Sequence, residues 1–191
     1  MTVQTPWGYE CESLPPLISV EQFRSLCPDF SATDSQVSAV LDSVSSAIRD
    51  YCGWHISPSL QCDWIGNGEG YLLMLPAMGV SSVESLRVSG NEVTDYEWTA
   101  AGMVRRKRDV FPDSWRSVEC VYTAGFNSAV IGQVATQVAA NSLAAAPGVS
   151  SERAGNVSIT YNQTGSGITG GVSLLPRDLE SLAPYRLVRA W

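Results

Sequence analysis

The chain has 191 residues, 45% hydrophobic and 16% charged, with 12 Lys+Arg against 19 Asp+Glu and a formal charge of −7. That length suits one domain with its own core, needing no disulfide or metal to fold, and the acidic balance argues against a protein that coats nucleic acid. One histidine, His55, excludes multi-histidine metal sites, and one lysine, Lys107, with no Ser three residues before it, excludes a Ser-x-x-Lys nucleophile.

Residues 1–16 read as an N-terminal arm, punctuated by Pro6, Gly8, Pro15 and Pro16. Glu10, Glu12 and these prolines predict no signal peptide, hence synthesis in a reducing cytoplasm and free thiols at Cys11, Cys27, Cys52, Cys62 and Cys120. A capping box, Ser19 with Gln22, predicts a short helix ending before Pro28. A second box, Thr33 with Gln36, opens a longer one, where Val37, Val40, Leu41, Val44, Ile48 and Tyr51 recur at helical steps until Gly53.

A β-insert over 56–126 follows, a small antiparallel sheet of about five or six strands. Gln61–Ile65 and Tyr71–Leu75 flank Gly66-Asn67-Gly68-Glu69-Gly70, which reads as a hairpin loop. Val83–Val88, Tyr96–Thr99, Met103–Arg106 and Val118–Tyr122 supply the other strands. Helix returns over Ala129–Ala145, then a Ser/Gly-rich loop over 150–172 containing one alternating run, Val157–Tyr161, then a last helix over Arg177–Arg189. The predicted class is α+β: a helical bundle of about four helices, at 19–53 and 129–189, with an inserted small antiparallel sheet. Residues 120–151 carry no charge, but Gly125, Asn127, Gln133, Gln137, Asn141 and Pro147 interrupt the run, so no membrane span is predicted.

Chemistry-bearing patterns are sparse. Cys52, His55 and Cys62, with Cys27, would suit zinc only at spacings of low specificity. The Gly66–Gly70 and Gly165–Gly171 clusters lack the Gly-Lys-Ser/Thr ending of a phosphate loop. A hydrolase would have to use His55 as its base, yet there is no Gly-x-Ser-x-Gly elbow. Asp95 and Glu97 share a strand face, which solvated strands commonly show. Catalytic residues, metal and cofactor are therefore predicted as none. The basic cluster Arg105-Arg106-Lys107-Arg108 fits three roles: contact with a neighbouring acidic protein surface, a solvated hairpin end, or contact with DNA phosphates. Residues 1–100 hold three Arg and 13 Asp+Glu, residues 101–191 nine Lys+Arg and six Asp+Glu. That asymmetry permits a head-to-tail contact between copies, which closes into a ring if the rotation allows. On the helix from Ala129, Gln133, Gln137 and Asn141 form a neutral polar stripe. A charge-free outer face either meets a neighbour, lines a channel, or is covered by its own domain.

Several of these segments, in order, resemble a known family. They are Ala47-Ile48-Arg49-Asp50-Tyr51-Cys52-Gly53-Trp54, then Leu75-Pro76 with Val80, Val83, Leu86, Val88 and Gly90. Gly102-Met103-Val104-Arg105, Val118 to Phe126, and Leu182-Ala183-Pro184-Tyr185-Arg186 complete the series. Residues 17–191 resemble the head–tail connector (adaptor, or head-completion) proteins of long-tailed bacteriophages. The resemblance implies a non-enzymatic connector domain made in the host bacterial cytoplasm and placed in the virion neck. It implies a homo-oligomeric ring, of twelve, under the portal protein, which extends the channel for the genome DNA and joins the head to a stopper or tail protein. A tail-completion or stopper role in the same neck is the neighbouring alternative. It also implies portal contacts at Leu182, Tyr185, Arg186 and Trp191. The chain departs from relatives in lacking a proline soon after Gly125-Phe126, in its long arm, and in its Gly165–Gly171 loop.

Overall fold

A computed structural model describes residues 2–144, 151–154, 157–160 and 172–187. The chain divides into two compact units. The first comprises Met1–Pro15, Cys52–Asn127 and Tyr185–Trp191, the second Pro16–Tyr51 and Ser128–Pro184.

The first unit is built on β-structure. Its strands are β1 (Val3–Gln4), β2 (Tyr9–Cys11), β3 (Leu60–Gly70), β4 (Leu72–Met74), β5 (Val80–Val88), β6 (Asn91–Glu92), β7 (Tyr96–Trp98), β8 (Met103–Arg106) and β9 (Phe111–Ala124). Six form one antiparallel sheet in the order β1-β2-β3-β9-β5-β6, and three form a second in the order β4-β8-β7. The 14-residue β9 is the spine of the larger sheet, with β3 on one side and β5 on the other. Alternation along these strands sends Tyr9, Cys11, Cys62, Val118, Cys120, Tyr122, Leu86 and Val88 to a buried face.

The second unit carries α1 (Val20–Leu26), most of α2 (Asp34–Cys52), α3 (Ala129–Ala144) and α4 (Pro176–Leu182), with a two-stranded ribbon, β10 (Ser151–Ala154) and β11 (Val157–Thr160). Both predicted capping boxes form. Gln22 N donates to Ser19 Oγ (3.1 Å) and Ser19 N to Gln22 Oε1 (2.8 Å). Gln36 N donates to Thr33 Oγ1 (3.3 Å) and Thr33 N to Gln36 Oε1 (2.9 Å). Arg24 then ties the loop between the helices, donating to Phe30 O (2.7 Å) and pairing with Asp34 (2.9 Å). Val37, Leu41, Val44 and Ile48 form the fully buried stripe of α2.

These findings correct the expected fold class. The chain does not build a helical bundle with a small inserted sheet. Among the described residues the six-stranded sheet is the largest assembly, and only α2 and α3 exceed two turns. Two strands come from the segment read as an arm, and three others, β3, β5 and β9, are longer than the alternating runs suggested. The expected hairpin at 61–75 does not form either. Gly66 to Gly70 continue β3 against β9, and β4 pairs with β8. The last helix stops at Leu182 and tightens into a 3₁₀ turn, Ala183–Tyr185, where Pro184 supplies no amide donor.

Candidate functional site

His55 lies in the interior of the first unit with no exposed surface. Its Nε2 is 2.9 Å from the carbonyl oxygen of Ala124, which can only accept, so Nε2 carries the proton. Nδ1 therefore accepts from the Tyr9 hydroxyl at 2.7 Å, and the same hydroxyl accepts the His55 amide at 3.0 Å. Trp54 and Tyr9 meet the ring edge-on. A general base needs a lone pair that substrate can reach, and this one is spent on a buried phenol. The same geometry denies His55 to a metal, and among the described residues no group of three or more His, Cys, Asp or Glu side chains is placed to hold one. Burial pushes the Cys52, Cys62 and Cys120 thiols up from 9.0 to about 12. These thiols are packing groups at neutral pH.

The basic cluster is split by its strand. In β8, Arg105 is exposed and stands opposite Leu72 on β4 and Glu97 on β7. Arg106 turns to the other face and is neutralised by Asp95 (3.5 Å) and Asp109 (3.2 Å). Lys107 reaches Glu97 at 3.2 Å with half its side chain exposed. Arg108 is exposed in the following turn. Among the described residues Arg105 and Arg108 have no ion pair.

On α3, Ile131, Val134, Ala135, Val138 and Ala139 are buried, whereas Gln133 and Gln137 are exposed and Asn141 is half-buried. Gln137 donates to Asn141 at 3.1 Å. Gln133 and Gln137 line a groove of about 360 Å³ with Leu26, Cys27, Thr136 and Ala140. Of the C-terminal candidates, Leu182 is wholly buried in the second unit. Tyr185 packs edge-on against Phe126 (5.2 Å between ring centres), and its carbonyl accepts from Trp54 Nε1 at 2.8 Å. Arg186 is exposed, and Trp191 lies outside the described residues, as do residues 161–171. No described helix is long and apolar enough to cross a membrane.

Two exposed apolar features escaped the sequence reading. Tyr71, Leu72 and Met74 are 60%, 49% and 56% exposed. The signal was the unbroken run Tyr71-Leu72-Leu73-Met74-Leu75, which makes a short strand apolar on both faces. Trp115 is 87% exposed and precedes Arg116, whose φ of +50° marks an irregularity in β9 opposite Gly68. Asn67 Oδ1 accepts the Arg116 amide there at 2.9 Å. Nothing local in the sequence marks Trp115 as exposed rather than core.

No model of a protein family matches the sequence, and no curated protein does. Solved structures do match. The chain is similar to one in the virion of a native gene transfer agent particle, with a TM-score of 0.64 and 17% identity over 96% of this chain and 97% of that one. It is also similar to a chain in the neck of the native particle computed with C12 symmetry, with a TM-score of 0.60 and 18% identity over 100% and 97%. A chain in the neck of the empty particle computed with C6 symmetry matches with the same values. At these identities the likeness shows a shared fold, from end to end of the chain.

Proposed function

We propose that this chain is a structural protein of the neck of a phage-like particle. It assembles as a ring, of twelve copies, beneath the portal, extends the DNA channel and joins the head to the stopper or tail. The observation that carries this reading is the full-length likeness to chains in a gene transfer agent neck, one computed with C12 symmetry and one with C6. The connector-like segments read from the sequence support the same conclusion independently. The sealed His55 supports a non-catalytic role over a hydrolase. Arg186 and Trp191 are the portal contacts of this proposal. Leu182 and Tyr185 position that segment, the first by burial and the second by packing on Phe126.

The test is an early stop codon in the gene, in the strain that produces the particles, followed by electron microscopy of the lysate. Filled heads and finished tails, unjoined, are expected. Normally joined particles would refute the neck assignment. Heads that retain a neck ring but lose tails would move the chain to the stopper position.

A further inference from the structure

A neck ring requires each copy to present two different, complementary surfaces, because a contact between two copies of one patch closes as a dimer. The first unit offers two such surfaces, and they differ in charge. Directly paired residues of neighbouring strands share a face. On the exposed face of the six-stranded sheet, Glu10 stands opposite Asp63, and Asp63 opposite Val121. On the next line of the same face, Glu119 stands between Ile65 and Arg87, and Arg87 opposite Glu92. Four carboxylates and one guanidinium thus share this face, with Glu119 and Glu92 on either side of Arg87, and all five side chains are exposed. Ile65, 42% exposed, sits among them. A cavity of about 200 Å³ opens there, with Glu10, Asp63, Ile65 and Arg116 in its lining.

The second surface is the open face of the three-stranded sheet. Leu72 and Met74 of β4 stand opposite Arg105 and Met103 of β8, and Arg105 opposite Glu97 of β7. A cavity of about 280 Å³ lies among Leu72, Glu97, Trp98, Met103 and Arg105, its one carboxylate being the Glu97 that pairs with Lys107. Lys107 and Arg108 flank this face. It is therefore apolar at its centre and basic at its rim, the composition of a protein-binding patch.

We infer that these two faces are the two halves of the subunit contact: the Arg105–Leu72 face of one copy docks on the Glu10–Asp63–Glu119 face of the next. The occupant is a second copy of this chain because the charges are complementary. In a chain of charge −7, this is the only basic cluster in the sequence, and the acidic sheet face belongs to the same unit. Pairing either face with its own copy would set like charges together. The head-to-tail arrangement leaves one face of each kind open at its ends and so propagates to closure. The inference rests on the ring reading above and names the surfaces the ring would use.

Lys107 makes the test simple, since it is the sole lysine and the N-terminal amine the other amine donor. A carbodiimide joins an amine directly to a carboxylate. Natural-abundance and ¹⁵N-labelled chains are mixed in equal amounts at the highest attainable concentration, coupled and digested. Mixed-isotope peptide pairs joining Lys107 to Glu10, Asp63 or Glu119 are expected. Mixed-isotope pairs joining Lys107 only to other carboxylates, or no such pairs, would overturn the inference. A charge-swap arm uses sedimentation velocity. Arg105→Glu with Arg108→Glu, and Asp63→Arg with Glu119→Arg, should each weaken self-association by about tenfold or more. An equal mixture of the two variants should restore it, because every contact again joins opposite charges. A mixture no better than either variant would overturn the inference. The cross-linking arm, made on the unmodified chain, holds even if a variant fails to fold. Cross-links at other carboxylates leave the neck reading standing, whereas joined particles in the stop-codon lysate remove that reading whatever the cross-links show.

Discussion

The Tyr9 hydroxyl donates to one buried group of His55 and accepts from another, so a single oxygen satisfies both and ties β2 to the histidine, whose tautomer the Ala124 carbonyl sets. Tyr9→Phe removes that oxygen and leaves Nδ1 and the His55 amide buried without this partner. A stability loss of about 2–4 kcal/mol is expected, since each orphaned group costs ~1–3 kcal/mol. Urea unfolding measures it, and a loss below about 0.5 kcal/mol would show that the phenol does not hold the histidine. The thiols give a second prediction at this scale. Burial raises Cys52, Cys62 and Cys120 in the folded chain from 9.0 to about 12, with the Cys11 and Asp63 charges adding to the rise at Cys62. A raised acid favours the folded state while it stays protonated there. Its contribution is fully present below pH 9 and is lost as pH climbs from 9 towards 12, where only the unfolded chain can ionise. The melting temperature should fall over that window, and substituting the three cysteines by Ala or Val should flatten the fall.

Among the elements, β3 shows how far composition misleads. Gly66-Asn67-Gly68 reads as a turn, yet both glycines lie inside a strand because neighbouring groups occupy the space above them. A Cβ on Gly66 would sit 1.9 Å from the Trp64 ring, and one on Gly68 2.5 Å from the Cβ of Phe111. The Trp64 ring can swing away, but the Phe111 Cβ is fixed to the backbone. Gly68→Ala should therefore cost about 1–3 kcal/mol, more than Gly66→Ala, as compared by thermal melting. Equal costs would mean that the strand itself shifts to relieve both. The helices were legible because their signals are local. Ser19 with Gln22 and Thr33 with Gln36 lie three residues apart and close their bonds within one turn. The strands from Val83 onward were legible as alternating runs, but their pairing was not, because its determinants are distant. Nothing near Tyr9 announces that it pairs opposite Trp64, and nothing near Leu72 announces that β4 pairs with residue 105 rather than with the strand preceding it. The candidate site was legible in the same measure. The basic cluster and the neutral stripe of α3 were visible as composition. That Arg106 turns inward to Asp95 while Arg105 turns outward is decided by strand register.

For the molecule as a whole, the −7 charge sets what the channel proposed above would do to a duplex passing through it. Non-specific DNA binding is driven by counterion release, in proportion to the number of phosphates neutralised. Arg106 is spent on Asp95 and Asp109, and Lys107 is engaged with Glu97. The cluster thus offers two guanidiniums, Arg105 and Arg108, for phosphate contact. Two contacts correspond to a slope of log K against log salt of about −1.8, against the six to ten contacts of typical binders. The surrounding carboxylates oppose even that. The chain should therefore show no measurable binding to duplex DNA at physiological salt up to about 100 µM, where ordinary non-specific binders are engaged. Fluorescence anisotropy of a labelled duplex tests this. Binding below about 1 µM, lost in an Arg105→Ala, Arg108→Ala variant, would mean that the cluster grips the genome. It would then be unavailable to a neighbouring subunit, and the acidic surface would not be the one the DNA meets. Absence of binding, with self-association that weakens as salt rises, fits a wall that repels phosphate and uses its basic face for its own kind.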